Sequence, residues 1–179
     1  MNGKRIVAAL LVLLFWTARV YAQEPSLTDE QMLGVVFVAN QAEIAAANLA
    51  LRKTRSNSLQ VYAKRIVSEH AQVNQEIMTL TQRFGTEPQR SATSDALTKQ
   101  SNSEIAELDE TSTYDFDEAY LEHEIVSLQK LVRTVEGYIR TARSSDARTL
   151  LIRSRPSFIF HLDQAQRLQI TIGSPGLIR

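Results

Sequence analysis

Between Leu59 and Phe84 the apolar residues recur at steps of four and three: Leu59, Ala63, Ile66, then Val73, Ile77, Leu80 and Phe84. That rhythm marks the inward stripe of a helix packed among other helices. One position in the stripe, between Ile66 and Val73, is not apolar: it is His70. An imidazole at a core position needs a partner in the interior, because an unpaired buried polar group is costly. The rest of the chain must therefore supply helices that bring one.

Three further segments have the required period. Thr28 and Gln31 fit a capping box that opens a first helix, predicted from about Asp29 to Arg52. Its stripe reads Met32, Val36, Ala39, Glu43, Ala46, Ala50, and again one position, Glu43, is polar. Thr54 to Ser58 is a polar turn, with Ser56 or Ser58 capping the second helix, predicted over 58–84. Gly85 suits a left-handed helix end, and Pro88 follows. Asp115 and Glu118 suit the cap and box of a helix over 116–143, with stripe Leu121, Ile125, Leu128, Val132, Val135, Ile139. After a turn at Ser144 and Ser145, a last helix over 145–172 carries Ala147, Leu151, Ser154, Phe158, His161, Ala165, Leu168 and Ile172. Pro156 lies inside it, so its ladder is expected to kink or open where the carbonyl of Ile152 loses a donor.

Residues 85–114 are rich in Ser, Thr, Asn, Gln and acids, with sparse apolar residues at Leu97, Ile105 and Leu108. They read as a partly helical crossover on the outside; a disordered linker is the alternative. A helix of 25 residues is roughly 38 Å long, a length that such a segment can retrace. No strand-like alternation and no solenoid period occurs. The expected fold is all-α: a four-helix bundle of two antiparallel hairpins joined by a long crossover, the ferritin-like arrangement, in one domain over 23–179.

The turns set the heights of the polar positions. Glu43 lies 13 residues before Ser56 and His70 lies 14 after it, so the two face each other in an antiparallel hairpin. His161 lies 17 residues after Ser144, and Leu128 lies 16 before it. If the hairpins pack in register, Glu43, His70 and His161 meet in one core layer, with Leu128 at the fourth corner. One carboxylate and two imidazoles can ligate one transition-metal ion, zinc or iron. The alternative is a metal-free Glu–His hydrogen-bond network.

Composition narrows the function. Residues 1–22 read as a secretory leader: Lys4 and Arg5, an apolar run of 11 residues from Ile6 to Trp16, then Val20, Tyr21 and Ala22 at a cleavage spacing. The run is too short for a membrane span. Cleavage near Ala22 would leave no stable transmembrane anchor and place the chain in the periplasm or outside the cell. Losing Lys4, Arg5 and Arg19 leaves 17 basic against 20 acidic residues, a formal charge of −3. That argues against nucleic acid as a partner. With no cysteine, the chain can have neither disulfides nor thiolate chemistry. No phosphate-cradling glycine loop, nucleophile elbow or glycosidase-like carboxylate pair is present.

Four stretches carry a family resemblance: AEIAAANLA at 42–50, VYAKRIVSEH at 61–70, FDEAY at 116–120 and RPSFIFHLDQAQRL at 155–168. Together they resemble the bacterial exported ferritin-like proteins of unknown function often labelled as outer membrane proteins. The resemblance implies a four-helix ferritin-like fold, with Glu43, His70, Pro156 and His161 at recurrent positions. It also implies a third histidine eight residues after the tyrosine of FDEAY, where this chain has Leu128. Di-iron ferritins use Glu-x-x-His pairs, but Val67 and Phe158 stand three before the two histidines. Iron storage and di-iron oxidation are therefore not expected.

The remaining polar residues read plainly. His123 is expected to face solvent and Glu69 to be exposed, while Glu124 flanks the stripe of its helix. Tyr62, Tyr120 and Tyr138 are expected to pack with their hydroxyls at the rim. Arg148, Arg153 and Arg155 are expected to form a solvated face. Ser127 and Asp163 have no assigned role. The functional expectation is an exported binding module, with Glu43, His70 and His161 as ligands to one metal ion and a role in envelope or stress physiology. Two other readings stay open: a structural or interaction protein whose polar layer fixes helix register, with a protein partner or a second copy, and a mononuclear-metal or peroxide-handling oxidoreductase.

Overall fold

The structure is a computed structural model and describes residues 26–173. Among the described residues every regular element is a helix: α1 (Asp29–Lys53), α2 (Asn57–Arg83), α3 (Ala92–Glu110), α4 (Phe116–Thr141) and α5 (Ser145–Gly173). The leader read at 1–22 lies outside the described residues. α1 is long and apolar enough to pass for a membrane span by composition, but over half of its most apolar window is buried inside the protein.

The helix ends follow local chemistry. Thr28 and Gln31 form the capping box on α1, and Ser56 Oγ accepts from Leu59 N at 3.3 Å to cap α2. Gly85 takes φ +75° just past the end of α2, where a side chain would be strained. Asp115 sits at the start of α4 but makes no cap. Its carboxylate is taken by Ser112 Oγ, which donates to it at 2.7 Å, so the capping box expected with Glu118 does not form. Ser144 Oγ accepts from Ala147 N and caps α5. α5 continues past Pro156; Ile152 is exposed there, so water can reach its undonated carbonyl.

Short connections make α1–α2 and α4–α5 antiparallel hairpins. The two hairpins meet through α1 against α4 and α2 against α5. The crossover is not a linker: α3 takes 19 of its residues. It lies on α1 and touches α4 more lightly, burying only Ser94, Ser101 and Leu108. Steps of seven with two small residues let it lie close without an apolar face of its own. Gly34 marks another close approach. A Cβ there would stand 2.0 Å from the carbonyl oxygen of Gln89, whose N–H donates to Glu30 O at 3.1 Å.

The core falls into two apolar clusters. In each hairpin helix the chain passes from one cluster to the other between identifiable residues: Val36 and Ala46 in α1, Ile66 and Val73 in α2, Leu121 and Leu128 in α4, Phe158 and Ala165 in α5. Asn40, Glu43, His70, Glu124 and His161 occupy those gaps, all buried. A polar layer thus separates two hydrocarbon halves.

Candidate functional site

The three residues singled out from the sequence are all interior: Glu43 is 1% exposed, His70 and His161 are 0%. The His70 and His161 rings stack, with centroids 5.3 Å apart. Glu43 turns instead toward α4, where the Ser127 hydroxyl donates to its Oε1. The fourth corner is divided. Leu128 joins the apolar cluster, and one turn earlier Glu124, 0% exposed, enters the layer. Glu124 therefore does not flank the stripe; it lies on it. The buried residues of α4 run Leu121, Glu124, Leu128, Leu131, Val135, at steps of three and four, whereas Ile125, Val132 and Ile139 are only half-buried. The alternative register was legible in the spacing, but the greater hydrophobicity of Ile125 masked it.

The hydrogen bonds fix which atoms of these groups remain bare. On the histidine side the chain of donors starts from a backbone carbonyl, which can only accept. Asn74 Nδ2 donates to Phe37 O at 3.3 Å, so Asn74 Oδ1 accepts from Asn40 Nδ2 at 2.9 Å. Asn40 Oδ1 therefore accepts from His70 Nδ1–H at 2.9 Å. The neutral ring then carries its lone pair on Nε2, which has no partner. His161 Nε2 lies 3.1 Å from Glu69 Oε2, a carboxylate that also accepts from Ser157 Oγ at 2.7 Å. Its proton belongs on Nε2, and the lone pair on Nδ1 is unpartnered. Glu69 is not the bystander expected: its side chain is 40% exposed, yet its head holds a buried imidazole from the rim.

The carboxylate side repeats the pattern. Ser127 holds Glu43 Oε1, leaving Oε2 bare. Tyr62 OH donates to Glu124 Oε2 at 3.0 Å, leaving Oε1 bare. Tyr62 and Tyr120 are buried rather than at the rim, and the Tyr120 hydroxyl has no partner. Four side chains on four helices are thus each tied by one polar atom and bare at the other. On the imidazole side the two bare atoms are lone pairs; on the carboxyl side the donors at hand are the Tyr120 hydroxyl and the proton that Glu43 and Glu124 hold between them.

Burial dominates the protonation of the layer. It pushes Glu43 up to about 7, only partly offset by the hydrogen bonds of Ser127 and Glu124. Burial, and then the charge of Glu43, hold Glu124 well above the ordinary carboxylate range. Two such carboxyls cannot both ionise cheaply, so the pair holds one proton above the ordinary carboxylate range. Burial, then repulsion from His161, lowers His70 to about 3. Burial also lowers His161, against the pull of Glu69. Both imidazoles are therefore neutral at pH 7, the form that ligates metal. As the side chains stand, no three His, Asp or Glu groups among the described residues converge closely enough to share one ion.

His123 does not face open solvent. It is half-buried in a groove beside α3 with Glu104, Ser127 and Lys130. Among the arginines read as a solvated face, Arg153 pairs with Glu76 at 2.7 Å and Arg155 with Glu136, so two of them tie helices together.

Fold and site together define an all-helical protein with an ionisable layer sealed between two apolar core halves. The chain belongs to the family described as Domain of unknown function (DUF4142), whose model matches residues 17–168. Neither a curated protein nor a solved structure matches it.

Proposed function

We propose that this chain is an exported ferritin-like helical module that binds one transition-metal ion in its core layer, with Glu43, His70 and His161 as ligands, joined by Glu124. The observation that carries the reading is a set of four buried atoms without a hydrogen-bond partner, the imidazole lone pairs on His70 Nε2 and His161 Nδ1 and the carboxyl oxygens Glu43 Oε2 and Glu124 Oε1. Each bare buried acceptor costs about 1–3 kcal/mol, and a cation among them would reverse the sign of that cost. Two imidazoles and two carboxylates suit zinc or iron. The groups behind them, Asn40, Glu69, Ser127 and Tyr62, stand where outer partners of metal ligands stand, each on the atom that would not ligate. Ligation requires the two Glu side chains, which have the longer reach, to swing toward the rings.

The ferritin-like assignment is supported by two hairpins joined through the crossover that contains α3, and export by the leader read at 1–22. A role in envelope or stress physiology follows from that compartment and from the resemblance. Metal analysis of protein purified without chelator, beside His70→Ala, His161→Ala and Glu124→Gln, tests the binding. One equivalent in the parent and loss in the variants is expected. No stoichiometric metal after reloading with zinc, iron, copper and manganese would refute it. A bound metal that cycles with oxygen or peroxide would make the protein an oxidoreductase.

One observation favours a metal-free reading: no three ligand groups converge as they stand. A proton shared by Glu43 and Glu124 would then satisfy that side, and the layer would serve to fix helix register.

A further inference from the structure

The carboxylate side of the layer borders solvent-lined space. Between α3 and α4 lies an open groove of about 470 Å³. Beneath α3, between α1 and α4, is a narrower pocket of about 70 Å³. Glu104, His123, Ser127 and Lys130 line both. Ser127 forms the link inward, because its hydroxyl is the one that holds Glu43. Glu104 is close enough for its charge to act on Glu43 and on His123 alike, and Lys130 Nζ stands 3.9 Å from it. Glu107 and Glu122 also line the open groove, so three carboxylates face one ammonium there. A cleft of that sign gathers cations.

On the opposite face a like charge stands beside the layer. Glu69 reaches His161, but Arg65 lies 3.8 Å from Glu69 and covers the Phe160 ring, 5.3 Å from its centroid. A metal cation approaching there would meet a guanidinium.

We propose that the groove between α3 and α4 is the path by which the metal ion reaches the buried layer. Glu104 and His123 are its outer stations, and Ser127 is the point of transfer to Glu43. This rests on the metal-binding reading above, and it gives α3 a function that its thin apolar contact does not explain: it forms one wall of the path.

A charged path residue acts chiefly on how fast the ion arrives. The test is stopped-flow uptake of cobalt(II), followed by its visible absorption, together with chelator-driven release. Glu104→Gln is expected to slow uptake by about threefold to tenfold at low salt, with release changed far less. The effect should fade at high ionic strength, where the Debye length is about 3 Å at 1 M. His123→Ala should also slow uptake. Lys130→Gln should speed uptake, which a folding defect would not mimic. If His123→Ala does not fold, the two groove variants with half-exposed side chains decide the matter. Unchanged rates in Glu104→Gln and Lys130→Gln would overturn the path while leaving the binding reading intact, as would slowing by Glu69→Gln alone. A parent protein that takes up no metal would overturn both readings.

Discussion

His70 on α2 and His161 on α5 stack in the interior with ring centroids 5.3 Å apart, and each has one nitrogen tied and the other bare. Stacked imidazoles in a dry core tolerate no charge, which gives the metal-free protein a pH signature. His70 is lowered from 6.5 to about 3. Between those values the unfolded chain binds a proton that the folded chain refuses, so stability rises with pH across the window and is lost as pH falls through it. The difference in urea midpoint between the chelated parent and His70→Gln isolates this group, and it should shift steadily against the parent from pH 6.5 toward 3.

Glu43 acts with the opposite sign. Its folded value of about 7 lies above the ordinary 4.5. From pH 4.5 to 7 the unfolded chain gives up a proton that the folded one keeps, so this group removes stability as pH rises and its cost is full above 7. Glu43→Gln is isosteric, carries no charge and brings an N–H donor toward the bare oxygens. Chelated Glu43→Gln should therefore be more stable than the parent at pH 8, by about 1–3 kcal/mol, and should hold no metal. A gain in stability with a loss of binding separates a ligand from a residue kept for structure, and denaturation beside metal analysis reads both.

Asn40 sets the tautomer of His70, because its side-chain oxygen holds His70 Nδ1–H. Asn40→Leu should leave the ring free to turn or to change tautomer. Metal affinity should fall by about 10- to 100-fold, measured by competition with a chelator, while the helical signal in circular dichroism is retained.

Gly34 allows the α2–α3 connection to lie against α1. Gly34→Ala places a Cβ 2.0 Å from the Gln89 carbonyl oxygen, so the backbone must move. A loss of about 1–3 kcal/mol is expected, and the Gln89 amide, now bonded to Glu30 O, should lose protection from hydrogen exchange.

The hairpin helices and the burial of Glu43, His70 and His161 could be read from the chain alone. Those features depend on local period: a polar residue on an apolar stripe is carried inward by the helix whatever the partner is. α3 escaped a firm reading because its buried positions, Ser94, Ser101 and Leu108, are mostly small and polar and so generate no apolar period. Glu124 was missed because two stripes compete on α4, and the choice between them is made by packing against α5 and α1. Asn40 and Glu69 offer no sequence signal at all. Their roles depend on what lies opposite them: Asn74 and His70 within the first hairpin, His161 and Ser157 across the second.

By itself the sequence determined which helices form and that ionisable groups lie in the core, because both follow from side-chain spacing along a single helix. Only the tertiary structure decided that the layer divides into a carboxyl side and an imidazole side, and which atom of each group is left bare. Those outcomes depend on rotation and register between helices, through hydrogen bonds such as Tyr62 to Glu124 and His161 to Glu69, and no spacing along one chain encodes them.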